Sequence, residues 1–264
     1  MIQYTTGAVL SPPDSRDYPV AKFSPAAAIA LPAVWDFRGA LQPVRNQGSE
    51  GTCVGHAAAA MMGYQQMTAA PPGKVPDREV LSPRALYEGG RMLEWVNGEG
   101  ATPRSVLKHA QQQGAPADRL WPYVPGFRGQ PLAGSVESAY QNRILTYSRA
   151  GQLYATIREA LYWHGPALIV VTVDEGFERT GADGVIRPGG AKRGRHAVLA
   201  VGWDDRRGAL LILNSWGTVW GAAGLAWLPE GWTIEEAWVS TPALDAPPPE
   251  VSWFERMFPA LFLG

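Results

Sequence analysis

The order of patterns along the chain predicts an α+β fold of two lobes, a helical lobe followed by a β lobe. Three observations carry this. The first half holds an Ala- and Met-rich apolar run and two helix starts, each a hydroxyl residue followed by proline. The second half holds short runs rich in Val, Ile, Leu and Trp, separated by Gly and Asp turns. The 264 residues amount to about 1.8 domains at a typical ~150 residues each, so one large domain or two small lobes is expected.

Taken in order, residues 1–30 are rich in Pro and Ala, with Ser11, Pro12, Pro13 and Asp14 opposing regular structure, and read as an extended arm or short propeptide. The helical lobe is expected over 31–150. Its centre is the run from Cys53 to about Ala69, apolar almost all round, as buried helices are. Ser82-Pro83 before RALYEGGRML and Thr102-Pro103 before RSVLKHAQQQ place a capping hydroxyl ahead of a proline, and Gly114 stops the second helix. DRLWPYVPGFRGQP reads as a loop, and Leu153, Ile157, Ala160 and Leu161 repeat at helical spacing. The β lobe is expected over 151–241, with strands at ALIVVTV, HAVLAVGW, ALLILN and GLAWL, and 242–264 form a C-terminal tail.

Composition narrows the function classes. With 46% hydrophobic residues and 11 Trp, the chain buries enough apolar surface to exclude disorder as a whole. A single cysteine excludes an internal disulfide and any multi-cysteine zinc site. The net charge of −1, without charge blocks, gives no basis for binding nucleic acid or an anionic membrane. No window is long and apolar enough for a membrane span, and the N-terminus lacks the pattern of a signal peptide. The expectation is a soluble protein in the cytoplasm or another reducing compartment, with release by another route left open and a monomer as the default.

Cys53 stands at the entrance of its helix, where free backbone N–H groups and the positive end of the helix dipole favour a thiolate. A lone cysteine is by default a small buried hydrophobe, so the assignment needs a base. Of four histidines, His56, His109 and His164 lie in helical patterns as packing or surface residues. His196 opens a strand after a Gly-rich stretch, a place that suits a general base. Asn214 and Trp216, in NSWG, can orient the imidazole and shield it from water. Gln47, six positions before Cys53, can donate to an oxyanion beside the Cys53 amide.

These stretches, PVRNQGSEGTC, RHAVLAVGW and NSWGTVWGAAG, resemble the papain-like (C1-type) cysteine peptidases in the family's order Gln, Cys, His, Asn. Weaker matches at VWDFR, LSPRALYE, WPY and GPALIVVTV extend the resemblance over roughly 31 to 240. It implies a two-lobe fold with a β-barrel-like antiparallel lobe and the active site in the groove between the lobes. The chain looks like a bacterial-type member without the family's disulfides or a full-length propeptide. By the resemblance Cys53 is the nucleophile, His196 its base and then the acid, Asn214 the orienter, and Gln47 part of the oxyanion hole. A protein or peptide substrate is implied, and no cofactor or metal.

The sequence departs from the family pattern at three places. Glu50 stands where a disulfide cysteine is usual, and a solvated loop acid is its default reading. Arg195 precedes the histidine, where, with Lys192 and Arg193, it either disfavours the imidazolium or points to solvent and recruits an acidic substrate, solvent being the default. The upstream segment is too short for a folded prosegment, so the arm or the tail either covers the cleft or braces the lobes. Gly98 and Gly100, in NGEGATP, with Trp216, are the remaining candidates for substrate contact. Transpeptidation or deamidation on the same machinery, and a non-catalytic binding or structural role, remain as alternatives.

Overall fold

The computed structural model describes residues 4–20, 30–69 and 79–242. Expectations for the C-terminal tail and for residues 1–3 and 21–29 of the arm lie outside them. Residues 4–19 are extended apart from a turn at Ser15 and Arg16, with isolated bridges at Ala8 and Pro19.

Helix α1 (Cys53–Ala69) is apolar almost all round over its first three turns because it is buried there, and it reaches the surface toward Thr68. Val54, Ala58, Met61 and Met62 are buried in one cluster with Leu86 of α2 (Pro83–Leu93), Val106 and Leu107 of α3 (Pro103–Gln112), and residues of the sheet. The starts of α2 and α3 are as predicted: the Ser82 and Thr102 hydroxyls accept from the N–H groups of Ala85 (3.1 Å) and Ser105 (3.2 Å), and proline takes the first turn. Gly89 and Gly90 bring these helices together, since a Cβ at either would strike the His109 ring or Val106. A short helix, α4 (Ser135–Gln141), is additional to the predicted ones. Two turns are too few to show a hydrophobic period.

The strands are β1 (Val34–Asp36), β2 (Ile144–Ala150), β3 (Ala167–Asp174), β4 (Lys192–Asp204), β5 (Ala209–Leu213), β6 (Leu225–Pro229) and β7 (Ile234–Pro242). They form one antiparallel sheet in the order β2-β7-β3-β4-β5-β6, with β1 also on β4. α5 (Tyr154–His164) packs over it, and one turn, α6 (Glu175–Glu178), follows β3. The four runs read as strands from the sequence are β3 to β6. Strands β1, β2 and β7 were not legible: β1 is only three residues long, ILTYSRA alternates poorly in burial, and β7 carries Glu235 and Glu236. Residues 144–150, placed with the helices by the sequence reading, pair with β7 instead.

Alternation along β4 places the groove. Ala197, Leu199 and Val201 join the core built around α1, whereas Val198, Ala200 and Trp203 join the second core, between the sheet and α5. β5 pairs with β4 only from Leu199 onward, so the start of β4, including His196, lies beyond that ladder, next to the first residue of α1. His196 is therefore interior to a 13-residue strand and not its first residue as expected.

Candidate active site

Cys53 is the first residue of α1 and is fully buried. Its neighbours include the backbone N–H groups of Ala197, Gly7 and Val54, which draw the thiol pKa down, but burial dominates and pushes it up to about 11. The low-pKa thiolate expected from the helix start is thus not the state of this molecule. The physical reason is the complete burial of the sulfur, beside which the Gly7 backbone of the arm lies.

His196 donates from Nε2 to Asn214 Oδ1 at 2.7 Å, and its Nδ1 is left without a hydrogen-bond partner. Asn214 is held in turn: its Oδ1 also accepts the Ser215 N–H (2.7 Å), and its own N–H donates to the Gly224 carbonyl (2.9 Å). Trp216 stacks on the imidazole at 4.4 Å and is itself wedged edge-on against Phe177 and Trp220. Enclosed by these rings, His196 has its pKa pushed down to about 4 by burial, against the opposing pull of Asn214. Cys53 and His196 are thus both neutral near pH 7, and no hydrogen bond joins them.

Gln47 is fixed at both ends of its amide. Its Oε1 accepts from the Ser215 hydroxyl at 2.6 Å, which turns Nε2 toward the groove, where it donates to the carbonyls of Glu50 (2.8 Å) and Thr5 (3.0 Å). The backbone of Gln47 pairs with Ser215, so the loop before α1 and the Asn214 loop move as one. The groove consequently already holds a peptide carbonyl, and that carbonyl belongs to the chain's own arm.

The arm runs the length of this groove. Tyr4 stacks on Trp216 (4.4 Å, 11°), and the Trp216 indole N–H donates to the Thr5 carbonyl at 3.3 Å. The Ala8 N–H donates to the Arg195 carbonyl (3.2 Å), the Ala101 N–H to the Gly7 carbonyl (3.1 Å), and the Val9 N–H to the Ala101 carbonyl (3.1 Å). The bridge between Ala8 and Ala101 is parallel.

Of the residues expected at the site, Cys53, His196, Asn214, Gln47 and Trp216 converge here. Arg195 touches the arm through its carbonyl, while its guanidinium pairs with Glu235 at 2.7 Å and is half-exposed. Gly100 lies buried against Gly7 and Val9, with φ +110. Gly98 is exposed, with open space around its Cβ position and no contact to the arm. The backbone contact expected of it is made by Ala101, which sequence reading missed because a main-chain donor and acceptor carry no side-chain signal. Glu50 differs from its default reading: it pairs with the buried Arg84 at 2.5 Å and accepts from the Tyr123 hydroxyl at 3.0 Å. Burial raises the Glu50 carboxyl, but the Arg84 hydrogen bond and charge outweigh it, so its pKa lies below the usual range. The one Tyr123 O–H is shared between Glu50 and the Gln47 carbonyl (2.7 Å), and the phenol oxygen bonds the Thr52 hydroxyl (2.8 Å), so this charged cluster braces the loop that presents Gln47 and Cys53. Among the described residues no group of three His, Cys, Asp or Glu could hold a metal, and no helix is long and apolar enough to cross a membrane.

Comparison with known proteins gives a family and a fold. A family model described as papain family cysteine protease matches residues 31–240. The chain is 27% identical over 209 residues to an uncharacterized peptidase C1-like protein of Acanthamoeba polyphaga mimivirus, covering 72% of this chain and 65% of that one. It is 27% identical over 203 residues to papain of Carica papaya, covering 75% of this chain and 54% of papain. The chain thus spans just under two thirds of the first relative and about half of the second. Among solved structures, xylellain, a cysteine protease from Xylella fastidiosa, superposes with a TM-score of 0.76 at 24% identity, covering 90% of this chain and 96% of xylellain. At that identity the likeness is one of fold.

Proposed function

The chain belongs to the papain family of cysteine proteases, and on that premise we propose that it is a cysteine endopeptidase whose cleft is closed by its own N-terminal arm. The observation that carries this reading is the Gln47 amide donating to the Thr5 carbonyl beside Cys53. A backbone carbonyl in that position is what a peptide substrate would present.

In the reaction Cys53 attacks the substrate carbonyl carbon as its thiol proton passes to His196 Nδ1, the nitrogen free of other partners. The developing oxyanion takes the Gln47 Nε2 donor now used by Thr5. Asn214 holds the imidazole by its Nε2–H and stabilises the imidazolium, and Trp216 keeps water from that bond. The imidazolium protonates the leaving amine. Water, deprotonated by His196, then hydrolyses the thioester and restores the thiol.

The arm acts as an intramolecular inhibitor because it uses the same donors. While Thr5 holds Gln47 and Gly7 covers Cys53, a substrate has neither the oxyanion donor nor the sulfur.

An active-site-directed epoxide and a peptide library test the function together. Epoxide labelling at Cys53, lost in His196→Ala, with hydrolysed library products absent in Cys53→Ser, is the expected outcome. Products joined to an added amine in place of water would turn the reading to acyl transfer. Absence of labelling with the arm displaced would favour a binding-only role.

A further inference from the structure

His56 lies one turn after Cys53 on α1 and is only 3% exposed. Its Nδ1 donates to the Thr52 carbonyl at 3.1 Å, and its ring meets Tyr123 edge-on at 4.4 Å. The bond to Thr52 fixes the tautomer, because a neutral imidazole with its proton on Nδ1 has a bare lone pair on Nε2. Burial lowers the ring's pKa to about 3, so at neutral pH this Nε2 is an acceptor. It is buried and, among the described residues, has no hydrogen-bond partner.

A second buried group is in the complementary condition. Asn214 uses its Oδ1 for His196 and for the Ser215 N–H, while its Nδ2, with two N–H donors, bonds none of the described residues. His56 and Asn214 line the same cavity of about 20 Å³, whose apolar walls include Ala57, Ala197 and Leu213. The other polar side chains around it are committed elsewhere. Arg45 holds Asp118 (3.1 Å) and the Leu81 carbonyl (3.2 Å), and the Ser215 hydroxyl donates to Gln47. A space of that size accommodates one water molecule, and a buried water needs at least two polar partners, here one donor and one acceptor.

We propose that His56 is a positioning residue that acts through Asn214 on the base: one buried water accepts from Asn214 Nδ2 and donates to His56 Nε2, fixing which end of the Asn214 amide faces His196. This rests on the peptidase reading above. The two ends of a carboxamide have nearly the same shape, and hydrogen bonds tell them apart. With Oδ1 toward the imidazole, the His196 proton sits on Nε2, and Nδ1 is bare to take the Cys53 proton. With Nδ2 there, the amide would need an acceptor, the proton would move to Nδ1, and His196 would no longer serve as the base. The Ser215 N–H favours the productive orientation at one end of the amide, and His56 favours it at the other. Without an acceptor in the cavity, Nδ2 would carry its full desolvation cost in an apolar wall.

NMR of the full chain with labelled histidine and asparagine nitrogens reads the water and the tautomer directly. With the arm docked, cross-peaks from water to the His56 ring protons and to the Asn214 side-chain amide are expected, with His196 protonated on Nε2. Absence of either cross-peak overturns the bridge. His56→Leu fills a similar space without an acceptor, and His56→Gln restores one. In His56→Leu at least four-fifths of His196 is expected with its proton on Nδ1, and in His56→Gln it returns to Nε2. A tautomer that is the same in all three proteins overturns the proposal, since a His56 that only fills space would lower the melting temperature and leave the His196 proton in place. The kinetic arm adds Gly7→Val, whose side chain meets the Gly51 backbone and displaces the arm. There His56→Leu should lower kcat at least fivefold with KM within twofold, and His56→Gln should recover most of it. A loss that His56→Gln does not recover also overturns the positioning role. The tautomer is read without turnover, so a chain that cleaves no peptide counts against the peptidase reading and still decides this one.

Discussion

Gln47 carries the residue-level logic of the site. Its carbonyl oxygen is taken by Ser215, so its amide can only donate toward the groove, and its backbone is fixed by Ser215 and Tyr123. A donor preorganised in this way is worth ~10²–10³ in kcat when removed. Gln47→Ala in an arm-displaced chain is therefore expected to lower kcat by about that factor with KM little changed. A fall carried by KM alone would place Gln47 in ground-state binding only. The side chains of the site were legible in the sequence because their chemistry restricts residue type: a thiol, an imidazole, and amides at either end. Ala101 was not, since its contribution is a peptide N–H and carbonyl that any residue supplies. Glu236 and Arg84 were not either, because what distinguishes them is burial, and burial is set by segments distant in sequence. Ser11 and Glu236 are 225 positions apart.

The arm, α1 and β4 are the elements that make the site, and each reaches it for a different reason. α1 is forced inward by the apolar surface of its first three turns, which brings Cys53 to the base of the groove. β4 brings His196 because β5 joins its ladder only from Leu199 onward, leaving the strand's first half beside the groove. The arm docks without secondary structure of its own, through hydrogen bonds to Ala101, Arg195, Gln47 and Glu236. It depends on Gly7, because a Cβ there would collide with the Gly51 backbone. A collision of that kind costs about 1–3 kcal/mol, so Gly7→Val is expected to speed epoxide labelling of Cys53 by a factor of roughly 5 to 160. The pH dependence should shift with it. The thiol, held up at about 11 under the arm, loses its burial when the arm leaves, and its pKa falls. More thiolate is then present at neutral pH, so the labelling profile of Gly7→Val should rise at lower pH than that of the unaltered chain. Identical rates and profiles in the two proteins would show that the arm does not limit access to the sulfur.

Over the whole molecule, burial of imidazoles gives an acid-sensitive fold. His196 titrates near 4, and His56 and His109 near 3, in each case chiefly because burial disfavours the charged form, and burial lowers His164 as well. An unfolded chain binds these protons near 6.5. Between about pH 6.5 and 3 the unfolded state therefore binds more protons than the folded one, and stability falls as pH falls through that window. The melting temperature should drop between pH 7 and 4.5, and His109→Gln should flatten the slope. A melting temperature constant over that range would show that these rings are hydrated in solution. The two-lobe α+β architecture, the nucleophile helix and the four site side chains followed from local patterns: hydrophobic period, capping pairs, and residue types that only a few reactions need. The course of the arm through the cleft, the pairing of Glu50 with Arg84, the neutral state of Cys53 and His196, and the burial of Glu236 against Ser11 required the folded chain. Each depends on which groups lose water when remote segments meet, and desolvation is a property of the assembled core that no local stretch of sequence encodes.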